Sequence, residues 1–353
     1  MEPTPDYGYE DYVESDNDTM CDYSEWEPTY SLIPVLYMLI FILGLSGNGV
    51  VIFTVWKTKS KRRAADVYIG NLALADLTFV VTLPLWAVYT ALGYHWPFGL
   101  ALCKISSYVV LVNMYASVFC LTCLSFDRYL AIVHSLSSGQ LRSRSTMMAS
   151  LASIWALSCV LALPTLLFRN TVRDEFNRTT CAMDFRLVTP SRQQDWLWIA
   201  GLSLSSSVLG FLLPFLAMTV CYCFIGCTVT RHFNTLRKED QKKRRLLKII
   251  TTLVVVFAIC WTPFHVLKSL DALTYLDLAP SSCSMLSFLL LVHPYATCLG
   301  YLNSCLNPFL YAFFDLRFRS QCLCLLNLKK TAHGHITSLA TQKSEAQSAG
   351  VKV

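Results

Sequence analysis

Asp76 is the only acidic residue inside the long apolar segments of this 353-residue chain. A carboxylate in apolar surroundings needs a proton, a cation or hydrogen-bond donors to offset the hydration that it loses. Other segments carry amides and a hydroxyl at comparable depths: Asn48, Asn71, Asn113, Ser117, Asn303 and Asn307. We therefore expect a monovalent-cation site or a polar network with two arrangements. The alternative is a protonated Asp76 bonded to neighbouring amides, and a proton pathway is disfavoured because it needs several acids.

Patterns typical of enzymes and metal centres are weak in this chain. Cys120 and Cys123 have CxxC spacing, but they lie in an apolar segment, where cysteine more often packs as a small apolar side chain. His265 and His293 lie near the ends of two apolar segments without a pattern of acidic partners, which favours pocket or packing roles. We expect no enzyme, no nucleic-acid partner, and no cofactor or metal apart from an allosteric sodium ion.

The chain around these residues is 54% hydrophobic and only 15% charged, and its mean hydropathy is +0.45. This composition excludes a disordered protein, and a water-soluble one would expose large apolar patches. Apart from Asp76, seven long segments contain no charged residue: Thr29–Trp56, Val67–Cys103, Ile105–Phe126, Ser145–Phe168, Trp196–Thr230, Ile249–Leu267 and Leu278–Phe314. Each can cross a membrane once as a helix, which takes about 20 residues. We expect the longest segments, including Trp196–Thr230, to contain loop or juxtamembrane residues, and we do not expect a β-barrel.

Basic residues are distributed unequally between the connections. If residues 1–28 lie outside, 22 of the 29 Lys and Arg residues fall on the inner side. The outer face then carries a net charge of −9, with ten acids before Pro28. Because cytoplasmic connections are enriched in Lys and Arg, we expect an extracellular N-terminus and a cytoplasmic C-terminus in a plasma-membrane protein. No cleaved signal peptide is expected, and the acidic outer face favours a basic peptide ligand.

Several residues outside the apolar segments are candidates for covalent modification. Asn17 and Asn177 occur in Asn-x-Thr glycosylation sequons, both on the expected outer side. Four cysteines on that side allow three pairings, among which the spacing does not choose: Cys21, Cys103, Cys181 and Cys283. Cys322 and Cys324 are palmitoylation candidates on a segment that alternates apolar and basic residues.

The predicted organisation has four parts. Residues 1–28 form an acidic extracellular tail, and residues 29–314 form an all-α domain of seven transmembrane helices. Residues 315–326 form a short amphipathic eighth helix on the membrane surface. Residues 327–353 are polar and are expected to form a disordered cytoplasmic tail.

Short motifs within the apolar segments resemble those of a known family. The motifs and single landmarks, one or more on each segment and in order, are Asn48, Leu72-Ala73-x-Ala75-Asp76, Asp127-Arg128-Tyr129, Trp155, Pro214, Cys260-Trp261-Thr262-Pro263 and Asn307-Pro308-Phe309-Leu310-Tyr311. Together they resemble a rhodopsin-class G-protein-coupled receptor across the whole membrane domain. The resemblance implies that Asp127 holds Arg128 until activation, and that sodium binds Asp76 with Asn113, Ser117, Asn303 and Asn307. Activation and G-protein coupling would involve these residues: Asp127, Arg128, Tyr129, Tyr222, Trp261, Pro263 and Tyr311.

Longer segments near residues 75–86, 112–122 and 301–315, with the Cys-Asp-Tyr-x-x-Trp pattern at Cys21–Trp26, resemble peptide-hormone receptors of this class. The resemblance implies a basic peptide ligand, inhibitory-class G proteins, arrestin and receptor kinases as partners, and Cys103–Cys181 and Cys21–Cys283 disulfides. Gly93 and His95 occupy positions where such receptors carry acids, and Phe264 stands where tyrosine is expected.

The same resemblance implies a set of ligand-binding residues. Asp22, Glu25 and Asp184 would take the basic side chains of the peptide. Its apolar part would pack on aromatic residues: Tyr37, Trp86, Tyr94, Phe264 and Tyr295. Arg169 and Lys268, expected at helix ends, would take its C-terminal carboxylate.

Alternatives remain within and outside this class. A chemokine- or angiotensin-type peptide receptor is the nearest, because Thr82-Leu83-Pro84 also occurs in those relatives. An amine ligand is disfavoured because Val110 occupies the position where amine receptors carry aspartate. A transporter or channel would need a polar path through both leaflets, and the apolar segments lack one outside the Asp76 cluster.

Overall fold

The structure is a computed structural model that describes residues 28–57, 64–134, 139, 141–174, 177–189, 192–231 and 240–314. The side chains of residues 57, 192–194, 230–231, 240–246 and 311–314 are outside that description. Within these ranges, seven helices are long and apolar enough to cross a membrane, which confirms the predicted all-α fold. The predicted eighth helix, residues 315–326, lies outside the described residues.

Nine helical segments build the seven spans in the described part of the chain. In order they are α1 (Thr29–Lys57), α2 (Ala64–Val80), α3 (Leu83–Ala91), α4 (Gly99–Ile132), α5 (Arg144–Phe168), α6 (Arg192–Ser207), α7 (Leu213–Arg231), α8 (Asp240–Tyr275) and α9 (Cys283–Phe314). The second span consists of α2 and α3. The fifth span consists of α6 and α7, joined by a π-helical turn at Val208–Leu212.

The two composite spans differ from the pattern expected of the apolar segments. In the second span, Pro84 cannot donate a backbone N–H, and α2 ends just before it. At this break the hydroxyl and the backbone N–H of Thr82 both donate to the carbonyl of Phe79, at 2.8 and 2.9 Å. The fifth span is helical from Asp195 to Val229, so of the loop or juxtamembrane residues expected there the structure has helix and no loop. The extra length is accommodated by the π-helical turn and by helix that extends beyond the hydrocarbon core.

Buried apolar side chains form clusters around the polar centre of the bundle. One large cluster of buried side chains surrounds Leu121, Phe257 and Trp261. A second lies between the first, second and seventh spans, where Phe79 and Tyr301 pack edge to face at 4.8 Å. On the outside, large apolar side chains such as Val160 and Ile259 are more than half exposed, which is what a bilayer as solvent requires.

A β-hairpin covers one end of the bundle, here called the hairpin end. Strands β1 (Arg169–Arg173) and β2 (Thr179–Met183) are antiparallel, with Arg169 opposite Met183. The predicted disulfide between Cys103 and Cys181 is confirmed and ties β2 to the first turn of α4, with the two Cα atoms 5.7 Å apart. Arg128 lies at the opposite end of α4, here called the Arg128 end.

Candidate functional site

Asp76 lies at the polar centre of the bundle and is fully buried. Asn113 donates to one carboxylate oxygen at 3.0 Å and Ser117 donates to the same oxygen at 3.3 Å. Asn307 donates to the other oxygen at 2.9 Å. The second, third and seventh spans therefore meet at one carboxylate, as the depths of these residues in the sequence predicted.

Two buried amide oxygens of the seventh span are candidate ligands for a small cation at Asp76. The side-chain oxygens of Asn303 and Asn307 are buried and accept no hydrogen bond within the described residues. A buried acceptor without a donor is unfavourable. With the carboxylate of Asp76 and the hydroxyl of Ser117, these amides provide the hard oxygen ligands that alkali cations prefer. The residues thus fit the sodium ion that the family resemblance implies.

Two further amide side chains, those of Asn48 and Asn71, form hydrogen bonds between spans. Asn48 donates to the carbonyl of Ser304 at 2.8 Å and so joins the first span to the seventh. The side-chain oxygen of Asn71 accepts a hydrogen bond from the indole of Trp155 at 3.0 Å and joins the second span to the fourth. Neither partner was predicted from the sequence, because both bonds join residues on different spans.

At the Arg128 end, one carboxylate holds two guanidinium groups. Asp127 forms an ion pair with Arg128, and Arg142 donates to its other oxygen at 3.0 Å. Asp127 and Arg128 are almost fully buried, whereas about a third of the Arg142 side chain is exposed. The predicted pair is present, and Arg142 is an additional partner that sequence reasoning missed.

Two other predicted activation residues, Tyr222 and Tyr129, lie at the Arg128 end. The hydroxyl of Tyr222 lies near Ser125, Thr251 and Arg128. Tyr129 bonds through its hydroxyl to His134 at 2.9 Å. The backbone of Tyr311 lies in α9, but its side chain is outside the described residues.

Lys268 points into the bundle from the sixth span. Its ammonium group donates to the hydroxyl of Ser206 at 2.7 Å and lies 5.6 Å from the centre of the Phe264 ring. The expectation that Lys268 ends a helix is wrong, because α8 continues to Tyr275. The helix continues because no proline or glycine interrupts residues 264–275.

Arg169 ends the fourth span and begins β1. Its guanidinium donates to the carbonyl of Cys181 at 2.7 Å, while its Nε atom is buried without a hydrogen bond within the described residues. Burial lowers the pKa of Arg169 below its usual value. The charge of Arg169 acts on Lys268, and neither cation has a carboxylate partner in the described part of the chain. The hairpin end therefore contains two cations that an anionic group would neutralise.

Aromatic rings connect these cations to the centre of the bundle. Trp261 packs against Phe264 at 5.6 Å and His265 at 5.9 Å, and Phe264 stacks on His293. His265 bonds to Ser207 at 3.1 Å, so two adjacent serines of the fifth span contact the sixth span. At Gly300 a side chain would meet the Trp261 ring at 3.1 Å, so the indole rests on the seventh-span backbone.

The four predicted aromatic ligand contacts other than Phe264 fall into two groups. Trp86 packs against Trp96 at 5.2 Å, beside the disulfide, and its indole nitrogen is buried without a hydrogen bond within the described ranges. Tyr94 contacts Tyr30 at 5.9 Å in a loop where its φ angle is 61°. The other two predicted residues lie between the first and seventh spans. Tyr37 packs against the ring of Tyr301 at 5.6 Å, and the hydroxyl of Tyr295 lies 3.2 Å from that of Thr29.

Asp184 is already paired with other residues. Arg186 donates to both of its oxygens, at 2.9 and 2.7 Å, and Asn170 adds a third side-chain bond at 2.9 Å. These bonds, led by those from Arg186, lower the pKa of Asp184 to about 2. A ligand cation would therefore have to compete with Arg186 for this carboxylate.

The remaining predicted residues cannot be placed in the site. Asp22, Glu25, Cys21, Asn17, Cys322 and Cys324 lie outside the described residues. Cys283 is disulfide-bonded to a residue outside those ranges, so that its pairing with Cys21 stays a prediction. Asn177 is exposed at the hairpin end, so its side chain is accessible for attachment of a glycan.

Seven spans around a buried carboxylate, with an Asp-Arg pair at one end and a disulfide-anchored hairpin at the other, define a seven-transmembrane receptor. The chain matches the family described as "7 transmembrane receptor (rhodopsin family)" over residues 47–311. It therefore belongs to the rhodopsin family, whose members are multi-pass plasma-membrane receptors that signal and are not enzymes.

Similarity to individual receptors extends over nearly the whole chain. It is 81% identical to apelin receptor A of Danio rerio over 362 residues, which cover 100% of both chains. It is 63% identical to the apelin receptor of Xenopus tropicalis, over 99% of this chain and 97% of that relative. It is 39% identical to the type-1 angiotensin II receptor of Bos taurus, over 88% of this chain and 85% of that relative.

Proposed function

We propose that this chain is a cell-surface receptor for a basic peptide hormone of the apelin type, including the related early-development peptide. The observation that carries the proposal is the 81% identity to an apelin receptor along the full length of both chains. The lower identity to an angiotensin receptor, 39%, makes an angiotensin-type ligand the second candidate.

The charge distribution supports an orientation with the hairpin end outside the cell. The inner connections in that orientation hold 22 of the 29 Lys and Arg residues. The N-terminal tail and hairpin are then extracellular, where Asn17 and Asn177 are accessible for glycosylation. The Arg128 end then faces the cytoplasm, together with Cys322 and Cys324, the proposed palmitoylation sites.

Two cations and several acids give the ligand a direction in the site. The C-terminal carboxylate of the peptide binds Arg169 and Lys268, which have no carboxylate partner within the described residues. Basic side chains of the peptide bind Asp184 and the acidic tail, through Asp22 and Glu25. The aromatic rings of Tyr37, Trp86, Tyr94, Phe264 and Tyr295 pack against its apolar part.

Signal transmission starts where the ligand meets the ring cluster. Lys268 contacts Phe264, Phe264 contacts Trp261, and Trp261 rests against the seventh span. A peptide that displaces Lys268 from Ser206 shifts this cluster and, through the seventh span, the bonds of Asp76. A sodium ion at Asp76 favours the inactive arrangement, because only in that arrangement does the Asp76 carboxylate neutralise the charge of the ion.

The output is release of Arg128 from Asp127. The sixth span then swings at Pro263, and Arg128 contacts the C-terminal helix of an inhibitory-class G protein, with Tyr129, Tyr222 and Tyr311 at the open interface. Phosphorylation of the tail by receptor kinases then recruits arrestin. None of these steps needs a catalytic residue in this chain.

A panel of peptides on cells that express the chain tests the proposal. Apelin should lower cyclic AMP, whereas angiotensin II and chemokines should not. Arg128→Ala should bind labelled apelin at the cell surface without lowering cyclic AMP. A response to angiotensin II or a chemokine alone would replace the ligand assignment. Substrate flux through liposomes that contain the purified chain and no G protein would indicate a transporter instead.

A further inference from the structure

Lys104 lies one residue after Cys103 in the first turns of α4, and its side chain reaches the end of α5. Its ammonium group donates to the carbonyl of Leu166 at 3.0 Å and to that of Leu167 at 3.0 Å. The two carbonyls belong to the last turn of α5, which ends at Phe168. Lys104 is therefore a cation that caps the C-terminus of a neighbouring helix.

The cap completes the hydrogen bonding of the last turn of α5. The last four carbonyls of a helix lack the regular partners of its interior and need others. Here the carbonyl of Thr165 accepts from the N–H of Arg169, and that of Phe168 accepts from the N–H of Asp184 at 2.8 Å. Among the described residues, the two carbonyls between them accept hydrogen bonds only from Lys104. Without the ammonium group of Lys104, the carbonyls of Leu166 and Leu167 would lose the donor that they have in the described residues.

Arg169 is the next residue after this turn, so its backbone position depends on the capped helix end. The guanidinium is fixed separately, by the carbonyl of Cys181 at 2.7 Å. Cys181 is in turn bonded to Cys103, the neighbour of Lys104. Two adjacent residues of α4 thus hold the two parts of Arg169: Lys104 holds its backbone through α5, and Cys103 holds its guanidinium through Cys181.

We propose that Lys104 is a positioning residue for the anion site, because it holds the α5 end from which Arg169 reaches the ligand carboxylate. The inference rests on the proposed function, since it deepens the role given there to Arg169. Lys104 does not touch the ligand: its ammonium group is engaged by Leu166 and Leu167. Its effect is therefore confined to the part of the affinity that depends on the carboxylate.

The test measures the affinity of apelin as the free acid and as the C-terminal amide for surface-expressed variants. Lys104→Met keeps the apolar stem and removes the donors. The dissociation constant of the acid should rise about tenfold, as for the loss of one charge-assisted hydrogen bond, and that of the amide less than about twofold. Lys104→Arg should restore the acid affinity, because a guanidinium can donate to both carbonyls. Arg173→Met, which removes an exposed cation of the same hairpin, is the matched control and should leave both affinities unchanged.

A double variant separates the inference from the function on which it rests. Lys104→Met in an Arg169→Met background should cause no further loss of acid affinity, because Lys104 acts through Arg169. If Arg169→Met itself leaves the preference for the acid unchanged, the proposed carboxylate site is wrong. If Arg169→Met removes the preference and Lys104→Met retains it, only the role of Lys104 is wrong.

Hydrogen exchange provides a readout that does not depend on ligand binding. The N–H of Arg169 is bonded to Thr165 in the capped turn, so its exchange in purified receptor should accelerate when the cap is removed. If Lys104→Met fails to reach the surface, Lys104→Gln, which keeps an uncharged donor, is measured in the same way and should show a smaller acceleration. Unchanged exchange at Arg169 in either variant would overturn the proposal.

Discussion

Arg142 and Arg128 share the carboxylate of Asp127, and Arg142 Nε lies 3.0 Å from the oxygen that Arg128 does not use. Asp127 is 7% exposed, so its charge needs a partner in both arrangements of the receptor. In the proposed mechanism, Arg142 remains to compensate the carboxylate when Arg128 leaves for the G protein. On that mechanism we expect Arg142 to lower the free-energy cost of activation.

Removing Arg142 should therefore reduce signalling. In Arg142→Gln, Arg128 is the remaining cation of the pair with Asp127, so the inactive arrangement becomes more stable relative to the active one. Because the Arg142 side chain is about one third exposed, the pair is worth about 0.2–1 kcal/mol, and basal nucleotide exchange should fall by up to about fivefold.

Basal exchange is measured with a non-hydrolysable GTP analogue on membranes that contain the receptor and G protein. Arg144→Gln is the matched control, because Arg144 is an exposed cation two residues away. Its basal rate should equal that of the unmodified chain. A higher basal rate in Arg142→Gln would show that Arg142 locks the inactive state and would contradict this account.

Asp76→Asn should remove the sodium dependence of agonist affinity. The amide keeps the size of the carboxylate and can bond to Asn113 and Asn307, but it lacks the charge that holds a cation. In the unmodified receptor, replacing sodium by a large organic cation should raise apelin affinity, because sodium and agonist favour opposite arrangements. Apelin binding at matched ionic strength measures both receptors, and a retained sodium effect in Asp76→Asn would exclude this site.

The spans and their polar centre could be predicted from the sequence because their physical signals are local. Charged residues such as Lys57, Arg144 and Arg231 bound the apolar segments, and the helices begin or end at them. The side chains of Asn113, Ser117 and Asn307 converge on Asp76 because a buried carboxylate must find donors at its own depth.

Contacts between distant residues could not be predicted in the same way. The bonds from Lys104 to α5 and from Arg142 to Asp127 join different elements, and neither residue type nor spacing indicates them. The continuous helix at Lys268 and the π-helical turn before Leu213 depend on backbone geometry that tertiary packing selects. Asp184 and Arg186 are only two residues apart in the sequence, but their ion pair depends on the backbone turn after β2 that brings the two groups together.

Lys268 should distinguish a free-acid peptide from its amide. Lys268→Met should raise the dissociation constant of apelin acid by about 10- to 100-fold, the cost of a lost hydrogen bond to a charged group. The amide, which carries no charge there, should lose little affinity. Ser206→Ala is the control, since it removes the partner of Lys268 and leaves its charge, and acid affinity should be equal or higher. Equal losses for acid and amide in Lys268→Met would refute the carboxylate contact.

The acidic N-terminal tail should accelerate association through long-range attraction. Replacing Asp22 and Glu25 together by lysine should slow apelin association most at low ionic strength, because screening limits attraction to about 8 Å at physiological salt. Asp22→Asn with Glu25→Gln is the milder control and should give a smaller effect in the same direction. Association rates that are independent of salt in the unmodified receptor would exclude this contribution.

Arg186 should compete with the peptide for Asp184, because it donates to both oxygens of that carboxylate. Arg186→Gln should free Asp184 and lower the dissociation constant of apelin severalfold, whereas Asp184→Asn should raise it. The pKa of Asp184 is about 2, below its ordinary value, so the stabilising bonds are present above pH about 4 and are lost only as the pH falls towards 2. The ratio of the dissociation constants of Asp184→Asn and the unmodified receptor should therefore stay constant from about pH 5 to about pH 8. Equilibrium binding over that range measures the ratio, with Arg173→Gln as a control for loss of an exposed hairpin cation.

A ratio that falls towards one at pH 5 would mean that Asp184 titrates in the free receptor. Unchanged affinity in Arg186→Gln would mean that the ligand does not use this carboxylate.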